Sequence, residues 1–395
     1  MNALLSGVRV LDLTHVVAGP YGSMLLGDLG AEIIKIEKPG EGDESREIGP
    51  EFINGESAYF IGLNRNKKGI TLDLLRDEGK EIFYALVKKA DVVYDNFKPI
   101  VTRKLGIDYE TLKNINPKII TCSISAFGSE GPLKDEPGFD IIFQAIGGIM
   151  SLTGEPGRPP VKMGVPMGDL EGGLLAAYAI TSALYARQAT GVGRKIEISL
   201  LDATVSMLSY IAAQYFASGR VREPLGSGHP FIVPSGAFKT KDGYIQITCS
   251  KDKVWKSLCQ ALQIGHLAED PRFFSKSKRY ENRKELLPIL EDILLSRTIE
   301  EWLTCLRGKG VPAAPVNTID KTLSEPQILL RNMVVTLNHP VTGNVKVVGN
   351  PIKIGDYQEL FEPAPTLGQH TEEILQGLLG YTKDDISRLK KNGIV

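Results

Sequence analysis

A strand–helix–strand pattern within the first forty residues constrains the fold of this chain more than any other feature. Residues 8–13 (VRVLDL) and 31–37 (AEIIKIE) are short runs rich in β-branched and aliphatic side chains, which predict buried strands. The apolar segment 21–29 between them predicts a helix that ends at Gly30. Because parallel strands need a crossover connection, the pattern predicts a βαβ unit and a parallel sheet.

The same alternation of strands and helices continues through residue 217. It predicts a large doubly wound α/β domain over residues 1–217, with a Rossmann-like arrangement of strands and helices. Its further predicted elements are helices at 77–89, 168–188 and 201–217, and strands at 91–94, 118–123 and 194–199.

A second domain is predicted where the composition shifts to Gly, Pro and Arg after Ser218. Residues 237–248 form a predicted hairpin, because Lys241-Asp242-Gly243 is a turn between two strand-like runs. Three predicted helices follow, so residues 218–332 make a small α+β domain with its linkers. We expect the C-terminal segment, 333–395, to return to the large domain, although periodicity does not fix where its helical tail packs.

Charge and composition exclude several classes of protein. Lys and Arg total 46 against 47 Asp and Glu, without the basic surplus that nucleic acids or anionic membranes attract. No run approaches about 18 apolar residues, and the N-terminus lacks a secretory pattern, so we expect a cytoplasmic protein with no membrane segment. The four cysteines form no C-x-x-C pair and lack zinc-ligand spacing with the five histidines, so no metal site is predicted.

Polar residues that follow the predicted strands are candidates for ligand binding. The turn at 14–20 lacks G-x-G-x-x-G, so the dinucleotide fingerprint is absent, yet a helix N-terminus there has free N–H groups for a phosphate. His15 in this turn is either structural or catalytic. Two basic clusters, 64–69 (NRNKKG) and 96–104, are either solvated surfaces or parts of a site for a phosphorylated ligand.

Asp169 stands at the head of a predicted helix of small residues, in the sequence MGDLEGG. It is either an N-cap that accepts backbone N–H bonds or a nucleophilic carboxylate presented by a helix start. In the second case the surrounding glycines leave space for a bulky substrate. The helix dipole there favours the ionised form.

The sequence resembles the family III CoA-transferases, the CaiB/BaiF-like group named after formyl-CoA transferase and carnitine CoA-transferase. The resemblance runs from about residue 5 to the C-terminus. It rests on an ordered set of motifs: VRVLDLTHVVAGPYGSMLLGDLGAEIIKIEKPGEGD (8–43), NRNKKGITLDL (64–74), DNFKPIVTRKLGID (95–108), GPLKDEPGFD (131–140), MGDLEGGLLAAYAI (167–180), HPFIVP (229–234), FKTKDGYI (238–245) and LGQHTEEIL (367–375).

This resemblance implies a reaction, a nucleophile and an assembly. Asp169 matches the family's catalytic aspartate, which forms an acyl anhydride and then an aspartyl-CoA thioester as CoA passes from an acyl-CoA, often succinyl-CoA, to a carboxylic acid. The family forms an interlocked homodimer, and coenzyme A thioesters are its substrates, with no further cofactor. The implied CoA contacts are His15, Val17, Ala18, Lys38, Leu72, Asn96, Phe97, Arg103 and Lys104.

Two alternatives share the same fold. The related α-methylacyl-CoA racemases have a histidine where this sequence has Phe139, and racemisation needs a base on each face of the α-carbon. Because phenylalanine supplies no base, the sequence favours a transferase over a racemase. A non-catalytic CoA-binding protein would not need Asp169 as a nucleophile, although an N-cap role would preserve it.

Overall fold

The computed structural model describes residues 3–395, and these residues divide into two compact units. The first unit contains the described residues up to Ile149 together with Met163–Gly219 and Pro326–Val395, and the second contains Met150–Lys162 and Arg220–Glu325. Residues 150–162 lie in the range predicted for the large domain, yet they cluster with the second unit. One reason is that the Gly226 amide donates a hydrogen bond to the Gly154 carbonyl oxygen at 2.8 Å.

The strands and helices alternate through most of the chain. The strands are β1 (Arg9–Asp12), β2 (Glu32–Glu37), β3 (Phe52–Ile53), β4 (Glu56–Ser57), β5 (Lys67–Thr71), β6 (Val92–Asp95), β7 (Ile120–Ser125), β8 (Lys195–Ser199), β9 (Ser235–Lys239), β10 (Tyr244–Thr248), β11 (Ala313–Pro315), β12 (Val334–His339) and β13 (Gly343–Val348). The helices are α1 (Ala18–Asp28), α2 (Ala58–Leu63), α3 (Asp77–Val87), α4 (Pro99–Leu105), α5 (Tyr109–Ile115), α6 (Asp140–Ile146), α7 (Ile149–Leu152), α8 (Met167–Thr190), α9 (Leu200–Ser206), α10 (Ser209–Ser218), α11 (Asp252–Ala261), α12 (Gly265–Glu269), α13 (Lys276–Glu281), α14 (Arg283–Leu294), α15 (Ile299–Gly308), α16 (Ile319–Ser324), α17 (Pro326–Leu330), α18 (Thr371–Leu379) and α19 (Lys383–Lys391).

The first unit is built on a six-stranded sheet with the order β5-β2-β1-β6-β7-β8, and every neighbouring pair in it is parallel. The predicted mixed α/β fold with a parallel central sheet is therefore confirmed. Strands β1 and β6 are neighbours at its centre, and Val10, Leu11, Val92 and Val93 have no exposed surface. The turns that follow β1 and β6 consequently meet at the same edge of the sheet.

Helix α1 begins at Ala18, three residues before the predicted start. Gly19 and Pro20 therefore lie inside its first turn, where the missing N–H of a proline removes no helical hydrogen bond. All but one of its residues are buried, and α8 packs closely against it.

Within the basic cluster at 64–69, Arg65 and Lys67 are buried and paired with acids, so these two cations are not the solvated surface that one interpretation of the segment expected. Residues from Lys67 onward form β5, an edge strand that pairs with β2. The buried Lys67 ammonium lies 3.2 Å from a carboxylate oxygen of Asp12. The Arg65 Nε donates to Asp28 at 2.8 Å, so the two buried cations are neutralised inside the protein.

The predicted helix at 201–217 is two helices, α9 and α10. The break falls at Ser209, whose φ of 43° is incompatible with a continuous right-handed helix. Helix α10 has no buried residue within this chain.

The second unit contains the predicted hairpin, β9 and β10, which pairs antiparallel with a third strand, β11, that sequence patterns did not indicate. Helices α11, α14 and α15 pack on it around the buried Trp255 and Trp302. The C-terminal helices α18 and α19 belong to the first unit, where Ile374 and Leu389 join the core that contains Leu11. No helix among residues 3–395 is long and apolar enough to cross a membrane.

Candidate active site

Asp169 is the third residue of α8 and is half-buried. The helix begins at Met167 after Pro166, so Asp169 is not the N-cap that one sequence interpretation expected. The capping role falls to Asp140, whose Oδ1 accepts the backbone N–H of Gly168 at 2.8 Å and that of Asp169 at 3.4 Å. The Asp169 side chain is therefore not used to cap its own helix.

Asp140 is itself held by Gln144, one turn later in α6. The Gln144 Nε2 donates to Asp140 Oδ2 at 2.6 Å, and its Oε1 accepts the Met163 amide at 2.8 Å. Gln144 is fully buried, whereas the neighbouring Phe139 is 76% exposed. The start of α8 is thus fixed by side chains of α6, and Phe139 contributes no polar group to it.

Burial raises the pKa of Asp169 to about 7, and the nearby charge of Asp140 adds to the shift. This shift opposes the effect of the helix dipole, which favours the ionised form. Burial also raises the pKa of Tyr59, and the charge of Asp169 contributes to that shift, so the phenol lies in the same electrostatic environment. Near neutral pH the carboxyl group is poised between its two protonation states.

Two glycines bring the helix that carries Asp169 into backbone contact with α1. A Cβ atom added at Gly173 would lie 2.3 Å from the Ala18 carbonyl oxygen, and one at Gly22 would lie 2.7 Å from the Gly173 oxygen. Both distances are below any normal carbon–oxygen contact. Only glycine permits this approach, which places Asp169 one turn of α8 away from the start of α1.

The turns after β1 and β6 meet through His15 and Asn96. The His15 amide donates to Asn96 Oδ1 at 2.9 Å, and Asn96 Nδ2 donates back to the His15 carbonyl oxygen at 2.8 Å. The His15 and Phe97 rings lie 5.5 Å apart between centroids. Burial and the charge of Lys35 lower the pKa of His15, so its imidazole is neutral at physiological pH.

A cavity of about 390 Å³ opens beside these turns in the first unit. Four of the predicted CoA contacts line it: His15, Lys38, Leu72 and Phe97. Its other lining residues combine aliphatic side chains with acids: Leu13, Ile36, Glu37, Glu41, Gly42, Glu44, Glu47, Asp73, Leu74, Leu75 and Leu105.

The remaining predicted contacts do not line this cavity. Val17 and Ala18 are buried at the start of α1, and Asn96 is half-buried. Arg103 and Lys104 are exposed in the last turn of α4, next to the lining residue Leu105. The sequence analysis did not predict a role for Asp140 in the site. Its position in the motif GFD, which belongs to the set that carries the family resemblance, could have indicated one.

Comparison with known proteins identifies the family of the chain. A family model described as CoA-transferase family III matches residues 5–371. The succinyl-CoA:glutarate CoA-transferase of Mus musculus is 39% identical over 392 residues, which cover 99% of this chain and 90% of that protein. The acetyl-CoA:oxalate CoA-transferase of Acetobacter aceti is 40% identical over 358 residues, which cover 90% of each. A crystal structure of a CAIB/BAIF family protein from Brucella suis is 39% identical with a TM-score of 0.88, covering 96% of this chain and 100% of that one.

Proposed function

The chain belongs to the family III CoA-transferases, and we propose that it moves coenzyme A from a short acyl-CoA to a carboxylic acid through covalent intermediates on Asp169. The observation that supports this most strongly is the half-buried Asp169 at the start of α8, whose capping role is taken over by Asp140. A carboxyl group that does not cap its own helix is available as a nucleophile.

The first half-reaction breaks the donor thioester in two displacements. A carboxylate oxygen of Asp169 attacks the thioester carbonyl, the carbon–sulfur bond breaks, and CoA leaves as a thiolate. The thiolate then attacks the Asp169 carbonyl carbon of the mixed anhydride. The donor acid departs as a carboxylate with one oxygen that came from Asp169, and Asp169 is left as its CoA thioester.

The second half-reaction repeats these displacements with the acceptor. The acceptor carboxylate attacks the aspartyl thioester, and the thiolate leaves. It then attacks the acceptor carbonyl of the new anhydride, which releases the new acyl-CoA and restores the Asp169 carboxylate. No step gains or loses a proton or an electron, so the cycle needs neither a redox cofactor nor a general base. It does need Asp169 to be ionised.

The cavity beside His15 and Phe97 is the proposed site for the nucleotide part of CoA. The aliphatic part of its wall and the Phe97 ring suit a flat adenine. Acids also line the cavity, so the phosphates need cations: Lys38 in the lining, and Arg103 and Lys104 in α4, which do not line it. Binding energy from this remote part of the substrate can position the thioester for attack by Asp169. The Lys38 ammonium currently pairs with Glu41 at 2.6 Å, and this exposed pair is weak enough to be exchanged for a phosphate.

We propose succinyl-CoA or a similar short acyl-CoA as the donor and a short carboxylic acid as the acceptor. Of the two relatives described above, one is named for succinyl-CoA and glutarate and the other for acetyl-CoA and oxalate. Short acids are common to both.

A homodimer is the proposed assembly. Helix α10 buries none of its residues in this chain, and Phe216 in it is 81% exposed. Tyr185 of α8 is 79% exposed. Large exposed aromatic side chains of this kind are typical of surfaces that another subunit covers. The cysteines of the described chain are free thiols, which supports the further proposal of a cytoplasmic, reducing location.

Mass spectrometry of CoA exchange tests the proposal. The protein is mixed with succinyl-CoA and a panel of acids that includes glutarate and oxalate, beside Asp169→Asn. A matched control is Asp202→Asn, because Asp202 is also the third residue of its helix but is exposed. We expect new acyl-CoA species with the wild type and Asp202→Asn, and none with Asp169→Asn. Exchange that survives in Asp169→Asn, or only deuterium uptake at the α-carbon in heavy water, would reject the proposed chemistry.

A further inference from the structure

The backbone of the turn at residues 14–20 contains a strained residue, Val16. Its φ of 67° lies in the left-handed region, which L-residues rarely adopt and which is least favourable for a β-branched side chain. Strain of this kind persists only where neighbouring groups enforce it. We therefore expect a neighbouring group to hold the backbone of Val16 in this conformation.

That partner is a buried ion pair from the next strand and loop. Asp43 Oδ1 accepts the Val16 N–H at 3.1 Å, and Asp43 Oδ2 accepts from the Lys35 ammonium at 2.8 Å. The same ammonium donates to the Thr14 carbonyl oxygen at 2.7 Å. Neither the Lys35 nor the Asp43 side chain has any exposed surface. The pair thus binds the backbone on both sides of His15.

Charge makes the contact to Val16 strong. Burial acts to raise the pKa of Asp43, but the Lys35 ammonium and the amide of Ser45 outweigh it and hold that pKa well below its ordinary value. The carboxylate is therefore ionised, and a hydrogen bond to an ionised acceptor is roughly twice as strong as one between neutral groups.

We propose that Asp43 is a positioning residue for coenzyme A: by holding Val16 in the left-handed conformation, it orients His15 and the first residues of α1 toward the bound substrate. The inference rests on the proposed function, because Val17 and Ala18 come directly after Val16 and His15 lines the cavity assigned to CoA. Val16 itself does not line the cavity, so its side chain can be changed without altering the cavity wall.

Asp43 also makes a purely structural contact with Ser45. Its Oδ1 accepts hydrogen bonds from the Ser45 amide at 2.9 Å and from the Ser45 hydroxyl at 2.7 Å. A test must therefore separate positioning from stability. Glycine at position 16 does this, because glycine adopts positive φ without the steric cost and needs no partner to hold it there. If Asp43 acts through Val16, then Val16→Gly should compensate for the loss of Asp43.

The experiment measures calorimetric binding of free CoA, which carries no acyl group and so cannot turn over, with Asp169→Ala as the parent. In this parent, Asp43→Ala should raise the Kd for CoA about tenfold, the penalty of one left-handed residue. Adding Val16→Gly should restore most of the affinity, while the thermal stability lost with Asp43 stays lost. Ser45→Ala is the matched control, and its Kd should equal that of the parent.

Three results would overturn the inference. They are a Kd for CoA that is unchanged in folded Asp43→Ala, a loss of CoA affinity in Ser45→Ala as large as that in Asp43→Ala, and no recovery of CoA affinity when Val16→Gly is added. If Asp43→Ala does not fold, Asp43→Asn takes its place with the same expected rescue, and the same three criteria decide. If the Asp169→Ala parent binds no CoA, the proposed function itself is rejected. If the parent binds CoA and the Asp43 variant binds it with the same Kd, only this inference is rejected.

Discussion

The Oδ1 atom of Asp140 lies 3.4 Å from the backbone nitrogen of Asp169, so the residue that caps α8 also places a carboxylate beside the proposed nucleophile. Asp140 therefore has two opposing effects on Asp169. The cap fixes the position of Asp169, and the charge of Asp140 makes its ionisation harder. The second effect, added to burial, leaves Asp169 with a pKa of about 7.

This pKa predicts the pH dependence of the reaction. In the proposed mechanism only ionised Asp169 attacks the thioester, so kcat/KM should fall as the pH decreases below about 7, approaching tenfold per pH unit. Asp140→Asn removes the neighbouring charge and keeps an oxygen that can cap α8. Its pH midpoint should lie lower than that of the wild type. A pH–rate series on both proteins checks this, and an unchanged midpoint in Asp140→Asn would show that Asp140 acts only as a cap.

The same pKa predicts that Asp169 destabilises the fold. Its folded pKa lies above its ordinary value of 3.8, so the unfolded chain loses this proton first and stability decreases as the pH rises from about 4 to 7. Asp169→Asn removes that penalty. The full shift would correspond to about 4 kcal/mol, but Asp169 is only half-buried and solvent screens its charge, so the free energy of unfolding at pH 7 should rise by about 1–2 kcal/mol. Urea unfolding at pH 4 and pH 7 measures it. A gain of equal size at both pH values would contradict the electrostatic explanation.

The contact between α1 and α8 should be intolerant of a single methyl group. Gly173→Ala places a Cβ 2.3 Å from the Ala18 oxygen, which forces the helices apart. We expect a loss of about 1–3 kcal/mol in stability and at least tenfold in activity, since misplacement of a catalytic group by about 1 Å is that costly. Gly377→Ala is the control, because nothing lies within 4 Å of its added Cβ. Activity that is equal in the two variants would show that this contact does not position Asp169.

Arg65 should matter for stability but not for substrate binding. Arg65→Met leaves the buried carboxylate of Asp28 without its cation and should cost about 3 kcal/mol in unfolding free energy. The KM for the acyl-CoA should stay within about threefold of the wild-type value, because Arg65 is buried and absent from the cavity wall. Lys68 belongs to the same motif but is partly exposed. Lys68→Met should therefore change neither the unfolding free energy nor the KM by much. A large rise in KM for either variant would favour the interpretation of the 64–69 cluster as part of a ligand site.

The sequence was sufficient for those features that depend on local periodicity and on the rules for parallel sheets. It predicted β1, α1 and β2, and it placed His15 and Asn96 in turns that follow two strands. Because β1 and β6 are neighbours, these turns meet, and the two residues bind each other across 81 positions of sequence. The helix that carries Asp169 was equally clear from its run of small residues.

Features that depend on distant pairs could not be predicted. Strand β5 (KKGIT) has the composition of a solvated loop, and it is stabilised as a strand by pairing with β2 and by the buried Lys67–Asp12 contact. The cap on α8 comes from Asp140, which lies 28 residues before Gly168, at the start of α6. The positive φ of Val16 has no local signal, because valine is among the residues least suited to it.

The central claim is that Asp169 carries the transferred group, and peptide mapping by mass spectrometry tests it most directly. The protein is incubated with succinyl-CoA, trapped with hydroxylamine and digested. A covalent intermediate at Asp169 predicts a hydroxamate on that side chain, formed only when succinyl-CoA is present and lost in Asp169→Asn. An unmodified Asp169 in protein that exchanges CoA, or a hydroxamate on another residue, would contradict the account.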